Sequence, residues 1–395
     1  MKQYMMKLLL AATALLLSAC STDLFSWGEA DTKVEKAEER FVVSAPAEIS
    51  VAWRADLDQR RPASPSGFSN PAVVQGKSGE LIVAGAQDRR VRVFSSHGSE
   101  VQRVAMTAAG ESGALQLSNG LVVVADVDGM LFGVDINQGS VAWSVELPSA
   151  LMSRPVPAGN DFVFQTENNQ VFRFTAEGKK VWSYSGPASV LGIQYTPSPV
   201  VHRDRIYISM KSGDVVALKA DSGSFLWQRQ LLLSNEAAVL SELKVPAAAP
   251  VLIPAEFSGR SEDMLAVPVF QGELFFLSLL DGSTLASRKI STKSSPLHVG
   301  KRLYVAGADG ALSALDASGG ETLWKQRLSS GELVGPILWQ QNLWLADEFG
   351  MVFRLDLEGK LLASAELDGR IDVAPVASSD GVLVRNNLGT LFKLR

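Results

Sequence analysis

Aligned against itself, the chain shows one unit of about forty residues repeated eight times, a pattern few folds accept. In the clearest copy, residues 199–201 (Pro-Val-Val) lead to an apolar strand at 205–209 and a turn at Lys211-Ser212-Gly213. An alternating strand at 214–219, a turn at Asp221-Ser222-Gly223 and a last strand at 224–228 carrying Trp227 complete it. The first apolar residue after the first turn falls at Val91, Leu131, Val171, Val215, Leu274, Leu312, Val352 and Leu391, at intervals of 40, 40, 44, 59, 38, 40 and 39. Independent domains do not keep such a period. Trp143, Trp182, Trp227 and Trp324 each stand four residues after a glycine, while Gln102, Ala286 and Ala363 fill that place in other copies. At a fixed phase of a repeat, these rings are expected to pack rather than to hold a cofactor.

The eighth copy ends at Arg395 without its last strand, and the missing piece lies at the other terminus, where residues 48–57 have the right pattern, Trp53 included. Four-stranded units whose final sheet is completed from the N-terminus make a closed ring, which removes the exposed edges of an open array. The expected fold is therefore all-β: an eight-bladed β-propeller of four-stranded antiparallel blades over residues 48–395. The 59-residue interval holds about 15 to 20 extra residues within 231–263, to be read as loop. Its first part, 231–243, is apolar enough to suggest a partner, with packing across the ring as the competing reading. The stretch 258–263 reads as a mobile polar tip.

The rest of the chain sets the compartment. Residues 1–19 read as a signal peptide, with Lys2 and Lys7 ahead of an apolar stretch too short to span a bilayer comfortably. It ends in Leu17-Ser18-Ala19-Cys20, which matches the bacterial lipobox and makes Cys20, the single cysteine, the expected lipidation site. Several acyl chains, at about 0.8 kcal/mol per buried methylene, anchor a protein durably. By resemblance to bacterial lipoproteins, Ser21 implies the outer membrane, with the protein facing the periplasm. Residues 20–47 read as a lipidated N-terminus and flexible tether, spanning roughly 25 to 30 Å on average and about 85 Å fully extended. With 37 Lys and Arg against 42 Asp and Glu, the chain lacks the basic excess that nucleic acid demands.

Chemistry is sparse. His97, His202 and His298 fall in different copies or phases and read as surface or loop residues without metal-ligand spacing. Asp126-Val127-Asp128-Gly129 resembles the opening of a calcium loop, but Asn137 stands where the closing acid belongs, so the segment reads as a hairpin. A phosphate loop and a Gly-x-Ser-x-Gly elbow are absent from the sequence. No metal, catalytic residue or cofactor is expected, apart from the lipid on Cys20.

The repeat, Gly-x-Val-x-Ala-Leu-Lys/Asp-x-x-x-Gly-x-x-x-Trp, is similar to the blade motif of pyrroloquinoline-quinone dehydrogenases, which keeps a quinoprotein dehydrogenase as one alternative. Those enzymes have a larger design, with a calcium site, a catalytic aspartate and commonly a vicinal cysteine pair, so this reading ranks below a binding role. Lipobox, acidic tether, eight blades and the blade-five insertion together resemble the BamB family, propeller lipoproteins of the outer-membrane β-barrel assembly machinery. The resemblance implies a non-enzymatic scaffold that binds the POTRA region of BamA, the barrel insertase, and aids insertion of barrel precursors. A generic periplasmic binding propeller is the third alternative. In the family, docking involves a Leu-x-Leu-Arg loop and an acidic Ser-Asp-x-Asp loop. The matching positions here are Leu191, Ile193 and Gln194 in the first, and Glu242 and Lys244 in the second. Gln194 in place of Arg and Lys244 in place of Asp imply a partner surface with altered charges. The outer strands are further expected to hold extended precursors by strand addition.

Overall fold

The computed structural model describes residues 40–58, 70–110, 113–151, 153–187, 196–231 and 244–395. Among them are eight four-stranded antiparallel sheets, seven built from consecutive strands. We call the strands of each blade a to d, from the ring axis outward. The eighth blade consists of Val376–Ser378, Gly381–Arg385, Thr390–Leu394 and, as its outermost strand, Val51–Asp56. There Trp53 lies opposite Lys393, Ala55 opposite Leu391 and Asp56 opposite Thr390. The ring is closed by the strand the sequence places there.

Burial explains the period. The repeated apolar position falls on strand c of every blade, and Leu131, Val171, Val215, Leu274, Leu312, Val352 and Leu391 are all fully buried. These strands read as near-continuous apolar runs because a neighbouring blade covers each face; Asp214–Lys219 is buried along all but its last residue. Strand d is outermost and alternates, as in Thr322–Arg327. The core is accordingly a ring of wedges between blades rather than one centre. Tyr207, Val215 and Ala217 of blade four, for example, pack with Leu265, Val267 and Leu277 of blade five.

The tryptophans pack as expected, and they do so across blades. A register shift bends strand d where it passes strand c, for instance between Ala217 and Leu218. The ring then reaches the c–d turn of the next blade. Trp143 Nε1 donates to Ala176 O at 3.0 Å, Trp182 to Ala220 O at 3.1 Å and Trp227 to Leu279 O at 3.2 Å. The glycine in that turn meets two demands at once. Gly178 has φ +78°, and a Cβ there would stand 2.7 Å from the Trp143 ring.

Two parts differ from expectation. The flexible stretch does not run to residue 47: residues 40–47 lie on the ring. Val43 N–H donates to Leu328 O at 2.9 Å and Ser330 N–H to Phe41 O at 2.9 Å, while Ser364 N–H donates to Ala47 O at 3.1 Å. The cause is the run Phe41-Val42-Val43, whose valines join the core between blades six and seven. Nor is 258–263 a free tip. It follows the short helix Ala255–Ser258, which ends at Gly259 in the left-handed conformation. Asp263 accepts from Ala255 N–H at 2.9 Å and contacts His202 Nε2 at 3.0 Å and Arg203 at 3.2 Å. Arg260 Nε donates to Ser318 O at 2.9 Å. The extra residues thus divide between the connection before strand a of blade five and the a–b connection at its opposite end.

The histidines also differ in part. His97 is exposed in a turn, but His202 and His298 stand on innermost strands and are half-buried. Asp126 is a turn residue, as the hairpin reading requires: its carboxylate accepts from the N–H groups of Asp128, Met130 and Ala108.

Candidate docking face and central channel

Because the strands of a blade alternate in direction, each blade has two distinct ends. One carries the d–a connections and the b–c turns; the other carries the a–b and c–d turns. At the first end the residue leaving strand d is fastened to the b–c turn of its own blade. Leu147 N–H donates to Gly129 O at 2.9 Å, Leu231 to Gly213 O at 3.1 Å, Leu328 to Gly310 O at 2.9 Å and Leu367 to Gly350 O at 2.9 Å. The d–a connections therefore rise from a stiff rim.

In sequence, the residues expected to dock fall between the strands of neighbouring blades, in two d–a connections whose described flanking strands meet at this end. Leu191, Ile193 and Gln194 lie between the last strand of blade three, Lys180–Ser185, and the first of blade four, Val200–His202. Glu242 and Lys244 lie between Phe225–Gln230 and Val251–Ile253. Leu191, Ile193, Gln194 and Glu242 fall outside the described residues, as does Cys20. Lys244 is described: it is half-buried and precedes Val245, whose backbone exchanges hydrogen bonds with Phe270 at 2.8 and 3.3 Å.

The stem of the first connection rests on a residue the sequence reading missed. Asn169 is buried in the b–c turn of blade three with φ +62°. Its Nδ2 donates to Pro187 O at 2.8 Å, and its Oδ1 accepts from Lys211 N–H at 3.0 Å. One side chain thus joins blade three, blade four and the chain between them. The available signal was an asparagine in a column that holds glycine at Gly129, Gly213, Gly310, Gly350 and Gly389 and a left-handed arginine at Arg89. Beside it the buried Lys211 lies 3.7 Å from Glu167, and burial lowers its pKa.

On the axis, the segments entering strand a from all eight blades surround a cavity of about 320 Å³. Its wall is mostly alanine, serine and proline. Its polar members include Asn70, Arg154, Thr196, Lys293 and Asp372. Among the described residues, no group of three or more His, Cys, Asp or Glu side chains is gathered where it could hold a metal.

Known proteins match this chain over most of its length. The assembly factor BamB of Bordetella pertussis is 26% identical over 388 residues, covering 96% of this chain and 94% of its own. Among solved structures, BamB from Moraxella catarrhalis superposes with a TM-score of 0.73 at 17% identity, covering 88% of this chain and 99% of that one. Quinohemoprotein alcohol dehydrogenase from Comamonas testosteroni gives 0.66 at 12% identity over 88% of this chain and 76% of its own, a likeness of fold. The family model described as "Outer membrane protein assembly factor BamB" matches residues 87–326 and 277–379. Since that match takes in well over half of the residues and reaches all eight blades in full or in part, the chain belongs to the BamB family.

Proposed function

We propose that this protein is a non-enzymatic scaffold of outer-membrane β-barrel assembly, tethered to the outer membrane through lipid on Cys20. Its rim of d–a connections docks the periplasmic POTRA region of a BamA-like insertase. The observation that carries this reading is the family match, which joins the chain to proteins named as outer membrane assembly factors. Leu191 and Ile193 supply the apolar anchors at the centre of the contact, and Gln194, Glu242 and Lys244 set its orientation. The two connections leave adjacent blades at the same end, so one partner surface can reach both.

The test is co-purification from detergent-solubilised outer membranes. Replacing Leu191 and Ile193 together by Ala should reduce recovery of the insertase at least tenfold while the melting temperature stays within about 2 °C; undiminished recovery would refute the docking assignment. Quinone-dependent dye reduction by the purified protein would instead favour the dehydrogenase alternative.

A second reading concerns the outer strands. Val51, Val101, Val141, Val181, Phe225 and Leu323 sit at related positions on strand d of six blades, and all are exposed. In these six blades strand d is also the outermost strand among the described residues, and so presents a sheet edge. Together these would receive an extended apolar segment such as a barrel precursor by strand addition.

A further inference from the structure

Arg154 enters the third blade at the axis, and its side chain lines the channel. Its stem lies on Gly113 of the second blade, where a Cβ would stand 2.9 Å from Arg154 Cγ and 3.0 Å from its Cβ. Gly113 is not in the left-handed region, so this position is kept free of a side chain by the arginine rather than by its backbone. The second blade thus makes room for the arginine's stem.

The charges around it are unevenly matched. Lys293 is paired with Glu332 and stands 4.5 Å from the Phe270 ring. Asp372 is held by Arg370 at 2.8 Å. Arg154 has neither a carboxylate nor a hydrogen-bond acceptor among the described residues, which leaves the channel with one uncompensated positive charge in a chain of net charge −5. Arg154 is exposed to the open channel, and the surrounding blades take away part of its water and lower its pKa, yet guanidinium stays charged at any physiological pH. Two polar atoms of the same wall, Asn70 Oδ1 and Thr196 Oγ1, are covered and find no hydrogen-bond partner among the described residues. Turning either side chain toward an occupant breaks nothing.

The remaining wall selects the occupant. Ala247, Ala248, Ala249, Pro197, Pro336 and Ile337 offer small apolar surface. A cavity of about 320 Å³ is at the lower end of the range for small-molecule sites. One planar fork matches one carboxylate, whereas a phosphate dianion asks for more donors than a single arginine gives while Lys293 is committed elsewhere. We infer that the channel mouth is a binding site for a small organic carboxylate, with Arg154 gripping the carboxylate and the alanine and proline wall holding its apolar body. The ligand is either a free acid of metabolite size or the carboxy-terminal end of a polypeptide; the chemistry is shared.

The test is titration of the mature full-length chain, followed by calorimetry and by the Arg154 Nε–Hε resonance. The probes are isovalerate, the tripeptide Ala-Ala-Val as free acid, the same tripeptide as its amide, and inorganic phosphate. The free acids should bind and move the Arg154 signal, the amide should bind at least tenfold more weakly, and Arg154→Gln should weaken acid binding at least tenfold. Arg154→Lys, which keeps the charge and loses the fork, should fall between. Tighter binding of the tripeptide acid identifies a chain end, and tighter binding of isovalerate a free metabolite; either supports the site. Equal binding of acid and amide, phosphate binding tighter than the carboxylates, or an Arg154 signal unmoved by any acid overturns the proposal. The wild-type resonance decides even if a substituted chain fails to fold.

Discussion

Asp58 and Arg385 show how much a single pair can carry at the seam of the ring. Both are buried, their side chains meet at 3.3 Å, and Asp58 Oδ1 also accepts from Gln87 N–H in blade one at 2.6 Å. Three parts of the seam thereby converge on one carboxylate. Burial holds its pKa above the usual range, so the pair contributes specificity of closure more than raw stability. Asp58→Ala should nevertheless cost about 3 to 5 kcal/mol by taking the carboxylate from beside a buried guanidinium. Joint replacement by Leu at 58 and Met at 385 should recover most of that, as read from urea midpoints; an unshifted midpoint in the single variant would contradict the assignment. His298 makes a different statement. Burial lowers its pKa, its Nε2 finds no hydrogen-bond partner among the described residues, and its ring meets Phe257 edge-on at 5.3 Å. The folded chain therefore resists a proton that the unfolded chain accepts below about pH 6.5, so stability falls as pH drops through that value toward the folded pKa. Melting curves from pH 7.5 to 5 should show this slope in the natural protein and a shallower one in His298→Gln; equal slopes would remove His298 as its source.

At the level of the elements, what could be read in advance was whatever repeats. Strand c was legible because its burial recurs in every blade, and the last blade because Trp53 carries the outer-strand pattern to the far terminus. What escaped depends on contacts between distant positions. The tip at 258–263 looks solvated in sequence, yet Asp263 meets His202, 61 residues away, only once blades four and five stand side by side. Residues 40–47 looked like the end of a charged tether because the groove that receives Val42 and Val43 is built from blades six and seven. Asn169 and Arg154 depart from what most copies carry at those positions, and a repeat hides such departures. Of the candidate docking residues, Leu191, Ile193 and Gln194 are legible only as positions between the strands Lys180–Ser185 and Val200–His202, and they lie outside the described residues.

For the molecule as a whole, the seam is where ring and chain ends meet. Lys393, fully buried, donates to Ser96 O at 3.0 Å in blade one and pairs with Asp380, while Thr390 Oγ1 donates to Asp56 Oδ1 at 3.0 Å. A chain begun at residue 57 would leave the strand Thr390–Leu394 without its outer neighbour. Such a chain should self-associate on size-exclusion chromatography with light scattering, and a synthetic peptide of residues 48–57 should restore the monomer; a monomeric truncated chain would show that the edge is protected some other way. Closure also sets a timetable. The strand around Trp53 precedes its neighbour Thr390–Leu394 by more than three hundred residues of chain. Until that neighbour is in place the first strand of the ring lacks its pairing partner, and a chain cut before Thr390 cannot latch there.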